Sequence, residues 1–369
     1  MKYRICKRCV MDTSDKEIVF DENGYCNHCN DALKVKETSV ILGEKGKKKW
    51  EDMIIQLKKD GKGKQYDCVI GISGGIDSSY LVYLLSKENL RILGIHIDGG
   101  WNTDISNKNV KIIKEKCNID LKTIKIDEKE MMDLQRAYFR AEVPNLDIPQ
   151  DHAFFAELYK YMGKNKIKYF ISGHNWVGES ITPISWGFDA YDSDNIKAIQ
   201  KKYGTLKLKK YPLLSFYENK TKIPYFDKIK KLRPLDWIEY NPIEAKKTLM
   251  KKIGFIDYGS KHCESIFTRL LQAYIQPKKF KYDKRRAHLS SLIVSGIMTR
   301  EEALEILKKK CCTNRQIEDD IKVFIEKTGI NREEFDKIIA SKNINDHYSF
   351  KNFSKKNKTF NKFKKVLRG

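Results

Sequence analysis

One short run limits this chain more than any other: Ser73-Gly74-Gly75-Ile76-Asp77-Ser78-Ser79. Before it stands the apolar stretch Asp67-Cys68-Val69-Ile70-Gly71-Ile72, which reads as a buried strand. After it, Tyr80, Leu81, Tyr83, Leu84 and Leu85 continue at helical spacing. Strand, glycine-serine loop, helix is a phosphate-binding arrangement on physical grounds. Gly74 and Gly75 allow backbone angles that other residues resist and let phosphate approach the main chain. The amides that open the helix point at the anion, and the helix dipole adds a favourable field. Ser73, Ser78 and Ser79 add hydroxyl donors. Asp77 has no attraction for phosphate, so its expected task is to hold Mg²⁺. The bland alternative is a tight turn with serine caps. Neither the Walker pattern nor a dinucleotide fingerprint is present.

The loop belongs to a longer alternation. Strands are expected at 91–97, 121–126 and 167–172, with helices at 103–117, 128–142 and 151–164. This predicts a doubly wound α/β fold on a parallel sheet. Ligands in such folds sit beyond the carboxyl ends of the strands. Ser73, Asp98 and His174 each follow a strand.

Four cysteines precede this region. Cys6-x2-Cys9 and Cys26-x2-Cys29 are separated by sixteen residues. Two such knuckles fit a Cys₄ zinc site, closed and therefore structural. His28 lies inside the second knuckle and is read as a neighbour of the site. The other five cysteines, Cys68, Cys117, Cys263, Cys311 and Cys312, form no further C-x-x-C pair.

The chain of 369 residues is expected to divide into several units. Residues 1–35 form the zinc-binding unit and 36–65 a linking helix. Residues 66–240 form the α/β domain, with an irregular stretch from 181. Residues 241–345 form a C-terminal helical region, where Asn241-Pro242, Thr299 with Glu302 and Asn331 with Glu334 look like helix starts. Residues 346–369 form a basic tail, expected to be partly disordered. No signal peptide or spanning segment is read, so the expectation is a cytoplasmic protein. The net charge of +23 suits an anionic partner or reflects lysine usage alone.

Further candidates follow the fourth strand and the aromatic stretch. His174 and Asn175 are placed to hydrogen-bond a ligand, and Glu179 to hold metal or polarise a nucleophile; capping and surface roles are the alternatives. Lys261 and Arg269 are spaced to grip a phosphate group. Lys281 to His288 is a cation cluster that either binds phosphate or is a solvated face. Cys263 is kept only as a reactive-thiol candidate.

The seven-residue loop resembles the pyrophosphate loop of the ATP pyrophosphatase superfamily. That resemblance implies a five-stranded adenine-nucleotide alpha-hydrolase fold and cleavage of ATP between the α and β phosphates. It also implies that Gly71, Ile72, His96, Ile97 and Asp98 frame adenosine. The ordered set is more specific. The Cys₄ head, the loop and Asp98-Gly99-Gly100-Trp101-Asn102 are followed by Ile148-Pro149-x-Asp151-His152-Ala153 and Glu179-Ser180 with Pro183 and Trp186. Gly259-x-Lys261-His262-x-Glu264-Ser265 and Asp283-Lys284-Arg285-Arg286-Ala287-His288-Leu289-Ser290 complete the series. Together these resemble the bacterial N-acetyl sugar amidotransferases of surface-polysaccharide and flagellin-glycan pathways.

What this implies is ATP-dependent conversion of an acetamido group on a nucleotide-activated sugar to an acetamidino group. On this resemblance Asp77, His174, Glu179, Lys261 and Glu264 are the catalytic candidates. Gly173, Lys261 and Arg269 join the loop in binding the nucleotide. ATP, Mg²⁺ and structural Zn²⁺ are the implied cofactors. Ammonia would come from a separate glutaminase with a cyclase-like partner. Two other readings stand beside it. One is a tRNA-thiolating enzyme on the same loop. The other is a zinc-ribbon nucleic-acid binder, which leaves the loop unexplained.

Overall fold

The computed structural model describes residues 2–351 and residue 360. The tail predicted to be partly disordered lies largely outside them. Five strands form one sheet: β1 (Cys68–Gly71), β2 (Ile92–Asp98), β3 (Asp120–Lys125), β4 (Tyr169–Ile171) and β5 (Lys230–Leu232). Their order is β3-β2-β1-β4-β5, and every pairing is parallel. The chain steps outward from β1 to β2 and β3, then returns to the other side of β1 for β4. The reversal falls between β1 and β4, where an open α/β sheet leaves a crevice.

Helices cover both faces, as the alternation requires. Met53, Leu57, Leu81, Ile113 and Leu249 pack with Ile70 and Ile72 on one face. Ala156, Leu158 and Met162 of the helix Ile148–Lys164 pack with Val69, Ile95 and Phe170 on the other. The helix Pro242–Ile253 belongs to the first layer and packs on the helix Ile76–Leu85. A third cluster lies beyond the sheet. It stacks Trp101, Phe139, Phe267, Phe324 and Phe335, all buried. Each such ring contributes roughly 1.5–3 kcal/mol of transfer free energy.

The expected helix starts are present, with one refinement. Thr299 and Glu302 form a full capping box. Asn241 and Asn331 accept from the opening amides of their helices. Their partners Glu244 and Glu334 turn outward, to Lys247 and Arg140.

The stretch predicted to be irregular after residue 181 contains more than that. It holds the helix Ser193–Tyr203, capped by Asp192, and the edge strand β5. The strand is short and lysine-rich, so it carries no apolar alternation to betray it. Between them the chain is pinned by carboxylates. Glu130 Oε2 accepts the consecutive amides of Lys209, Lys210 and Tyr211 at 2.9, 2.8 and 2.7 Å. Asp133 accepts those of Thr205 and Leu206.

The cysteine head docks on the C-terminal helices. Arg300 Nε donates to Cys6 O and Cys9 O, each at 3.1 Å. Arg286 pairs with Asp12 at 2.9 Å and donates to Val10 O, while Val10 N donates to Ser290 Oγ. Cys6, Cys9, Cys26 and Cys29 thereby share a core with Phe267 and Phe324.

Candidate active site

The loop after β1 is shaped by close approaches. Gly74 has φ +80°, and a Cβ there would stand 2.8 Å from the Ser106 carbonyl oxygen. Ser106 Oγ donates to Ser73 O at 2.9 Å, which ties the loop to the start of the helix Asp104–Lys116. Gly173, just after β4, is forced by the first turn of the helix Ile76–Leu85. A Cβ on it would stand 2.9 Å from Ser78 N and 3.1 Å from the Asp77 carbonyl carbon. Glycine at 173 lets the two sequence-distant loops touch. The Ser79 hydroxyl is buried with no partner.

Above the loop stands a charged chain. Lys261 Nζ lies 3.3 Å from Asp77 Oδ2 and 3.0 Å from Glu179 Oε1. His174 Nδ1 pairs with Glu179 Oε2, and the Tyr240 hydroxyl donates to Asp77 Oδ1. The two carboxylates, Asp77 first, hold the Lys261 ammonium above its ordinary range despite the opposing effect of burial. Burial opposes the charge of Glu179, but Lys261 and then His174 prevail and keep it well below the usual range. Glu264 is different. Burial, with the Asp77 charge added, pushes it up to about 7, and its Oε2 is buried without a partner.

Its position matters as much as its proton. Glu264 Oε1 would stand 2.9 Å from a Cβ on Gly75, directly against the loop. The segment that carries it is bent: Gly259 and His262 have φ +90° and +67°. A histidine in the left-handed region stores backbone strain, a recurrent feature of functional loops.

The other predicted residues separate into two groups. Gly71, Ile72, His96, Ile97 and Asp98 line the carboxyl ends of β1 and β2. His96 Nδ1 lies 2.7 Å from Ile72 O, and Asp98 Oδ1 accepts from Gly100 N and Asn102. Gly71 has no room for a side chain, since a Cβ would meet the Phe154 ring at 2.4 Å. Arg269 is not brought to the loop. Asp320 takes its guanidinium in two hydrogen bonds of 2.8 and 2.7 Å. Asn175 is a helix cap, accepting from Gly178 N at 2.8 Å. Cys263 is buried.

The four head cysteines fit a tetrahedral metal. All four thiols are fully buried, and their sulfur atoms lie within 4.8 Å of one another. The amides of Cys9 and Cys26 point at Cys6 Sγ, and Arg8 reaches Cys29 Sγ at 3.6 Å. Donors around sulfur favour thiolates, the form that binds zinc. His28 hydrogen-bonds Asp15 instead. Among the described residues no other cluster of this kind is found, and no helix is long and apolar enough to cross a membrane.

Residues 264–366 match the family model of the LPS biosynthesis protein WbpG-like, C-terminal domain. This WbpG-like segment opens on Glu264, the residue against the loop. It also supplies Lys284 and His288. A comparison with curated proteins finds no significant match. Among solved structures, the NH3-dependent NAD synthetase of Campylobacter jejuni is 17% identical, with 47% of this chain and 73% of that one covered at a TM-score of 0.28. The NMN synthetase of Francisella tularensis is 14% identical, covering 79% and 95%, at 0.34. The U34-tRNA thiolase NcsA of Methanococcus maripaludis, solved with its [4Fe-4S] cluster, is 15% identical, covering 85% and 92%, at 0.32. Scores this low bear on neither substrate nor activity.

Sequence reasoning missed several cleft residues as a group. Asp147, Asp151, Lys284, His262 and His288 come from three separate segments. The motif series holds all of these but Asp147, and the cation run holds Lys284 and His288; neither says that the rings of His262 and His288 come within 5.0 Å of each other.

Proposed function

We propose that the chain is an ATP-dependent amidotransferase. It converts the acetamido group of a nucleotide-activated sugar to an acetamidino group, in the synthesis of a surface polysaccharide. The observation that carries this reading is the place of Glu264: the first residue of the WbpG-like segment stands against the phosphate loop. A lipopolysaccharide-type segment and a phosphate loop thus share one cleft.

The chemistry follows from what an amide lacks. Its carbonyl carbon is a poor electrophile, and its oxygen is a poor leaving group. The loop amides and Lys261 hold the β and γ phosphates of ATP. The acetamido oxygen then attacks the α phosphorus; an O–P bond forms and the bond to the β phosphate breaks. Pyrophosphate stays against the loop. Ammonia next adds to the activated carbon, AMP departs with the former amide oxygen, and a carbon–nitrogen double bond remains. Glu264 is the group suited to take the proton released from nitrogen, because its proton affinity is close to neutrality. Asp77 and Glu179 are the carboxylates that would hold Mg²⁺, whose charge offsets that of the phosphates. Two such ligands suffice for a Mg²⁺ also bound by phosphates. Ammonia would reach the site from a separate glutaminase with a cyclase-like partner.

The test combines the purified chain with ATP, Mg²⁺, ammonium and a panel of nucleotide-linked acetamido sugars. The expected result is AMP formation and an acceptor whose mass falls as oxygen is replaced by NH. No AMP and no mass change with every acceptor would end this reading.

A further inference from the structure

Three successive residues of the phosphate loop are each met by a side chain from one irregular segment. Glu264 stands against Gly75, and Lys261 Nζ lies 3.3 Å from Asp77 Oδ2. Between these two, the amide of Ile76 donates to the Tyr258 hydroxyl at 3.1 Å. Ile76 is the first residue of the helix Ile76–Leu85, so this amide is the opening donor of the helix that follows the loop. Tyr258 is held there by its own neighbours. Its ring packs against that of Phe255, with centroids 6.1 Å apart. The buried Asn109 clamps the backbone of Ile256 in both directions. It accepts from Ile256 N at 2.8 Å and donates to Ile256 O at 2.9 Å.

A phenol hydroxyl accepts and donates at once. The Tyr258 oxygen has taken the Ile76 amide, which leaves its proton to give. Among the described residues no hydrogen bond uses that proton. A hydroxyl that accepts from a helix amide has its own O–H further polarised. The partial positive charge at the helix start is thereby carried one hydroxyl outward. The groups around it decide what it can meet. Lys261 brings an ammonium to the next loop residue, and the Ser79 hydroxyl of the same helix is buried without a partner. An ammonium and two spare hydroxyls around a helix start form a donor set for phosphate oxygens. Bonds from hydroxyls to such anionic oxygens are short and about twice as strong as neutral ones. The opposing possibility is that the hydroxyl only plugs an amide that phosphate would otherwise take. The two possibilities give opposite signs when the hydroxyl is removed.

We propose that Tyr258 is a pyrophosphate-binding residue: its hydroxyl, seated on the Ile76 amide, donates to an oxygen of the β or γ phosphate of ATP and to the pyrophosphate that remains. This rests on the reading of the loop as the ATP site, and it adds to that site a donor from outside the loop. Tyr258 and Lys261 then reach the same phosphates from one segment, three residues apart.

The experiment reads binding apart from turnover. Calorimetry titrates inorganic pyrophosphate, and separately α,β-methylene ATP, each with Mg²⁺, into the full chain and into Tyr258→Phe. That variant keeps the ring and loses only the oxygen. It should bind both ligands at least about tenfold more weakly, the scale of one hydrogen bond to a charged group. A second readout does not depend on the variant's fold. In the full chain labelled with 3-fluorotyrosine, the fluorine resonance that the variant lacks should shift when pyrophosphate is added. Weaker binding by a variant that denaturant unfolding shows to be damaged is decided by that resonance alone. Unchanged binding by the variant overturns the proposal. Tighter binding overturns it too, since the hydroxyl would then be a plug, and so does a resonance that pyrophosphate does not move. Weaker binding by the variant, with no AMP formed by the parent chain on any sugar, upholds Tyr258 and sinks the amidotransferase reading. Equal binding and equal amidine formation by both chains do the reverse. A parent chain that binds neither pyrophosphate nor the analogue overturns both.

Discussion

Lys261 closes on Asp77, with Nζ and Oδ2 3.3 Å apart across the mouth of the phosphate loop. The lysine sits on a strained segment and the aspartate in the first turn of the helix after β1. Neither is placed by local sequence; the approach is made by packing. Removing the cation would leave Asp77 and Glu179 facing the phosphates unscreened. Lys261→Met should therefore lower kcat/KM for ATP by about 100- to 1,000-fold, on the scale of losing one charge-stabilising donor. Lys261→Arg should recover part of the loss. Acceptor-dependent AMP release measures both. Full activity of the methionine variant would remove Lys261 from the site.

Gly173 offers a sharper steric test. Its hydrogen faces the Ser78 amide, where a methyl group would be 2.9 Å away. Backbone does not yield as a flexible side chain does. Gly173→Ala should push the loop out of register and raise the dissociation constant of ATP by at least about tenfold, with a stability cost of about 1–3 kcal/mol. Calorimetric titration and denaturant unfolding separate the two effects.

Glu264 makes stability depend on pH. Its folded pKa, about 7, lies above the ordinary 4.5, so between these values the folded chain keeps a proton that the unfolded chain has released. Unfolding then becomes easier as pH rises through that window. Asp147, pushed up to about 6 chiefly by burial, acts in the same direction. Glu264→Gln should leave stability nearly unchanged at about pH 5 and raise it by about 1–3 kcal/mol at about pH 8. Urea midpoints at the two pH values decide it; an equal shift at both would mean that the carboxyl is not held protonated.

Arg269 and Asp320 give a prediction of the opposite kind. Their side chains are 14% and 5% exposed, and they meet through two hydrogen bonds. Asp320→Ala strands a guanidinium in a poorly hydrated place and should cost about 3–5 kcal/mol. Arg269→Ala should lower the melting temperature while leaving the KM for ATP within about twofold, because the guanidinium does not face the phosphates. A large rise in that KM without loss of stability would return Arg269 to the nucleotide site.

The cysteine head should bind one zinc per chain, and its removal should be felt at a distance. Stripping metal with a strong chelator leaves four buried sulfurs that take up protons and lose the ion that ties the two knuckles together. Structural zinc contributes on the order of 10 kcal/mol in small units. The expected outcome is a lower melting temperature and faster proteolysis near Arg286 and Arg300, the residues that clasp the head. Zinc analysis and timed digestion check it. Unchanged cleavage after zinc loss would show that the head is held by those contacts alone.

The sequence was most legible where chemistry repeats locally. A glycine-serine loop after an apolar run announces a phosphate site, and two C-x-x-C knuckles announce a metal. The alternation of strands and helices gave the sheet because each buried strand carried its own apolar signal. What stayed hidden depended on long-range meeting. β5 reads as two lysines and a leucine, and only its neighbour β4 makes it a strand. Arg269 looked free because Asp320 is 51 residues away in the chain. Lys284 and His288 sat in a run of cations, and nothing local distinguishes a cleft from a solvated face. Spacing suggests which residues can share an element, but not which elements will meet.

The clasp of Arg300 on Cys6 and Cys9 spans 294 and 291 residues. During synthesis the knuckles leave the ribosome well before their dock. The nascent head must wait, with its carbonyls uncapped, until Arg300 has been made. Metal capture at that stage would shield the sulfurs from oxidation before any tertiary partner exists. Contacts of such long range also slow folding. A ribosome that stalls before Arg300 would therefore release a head without the arginine that clasps it.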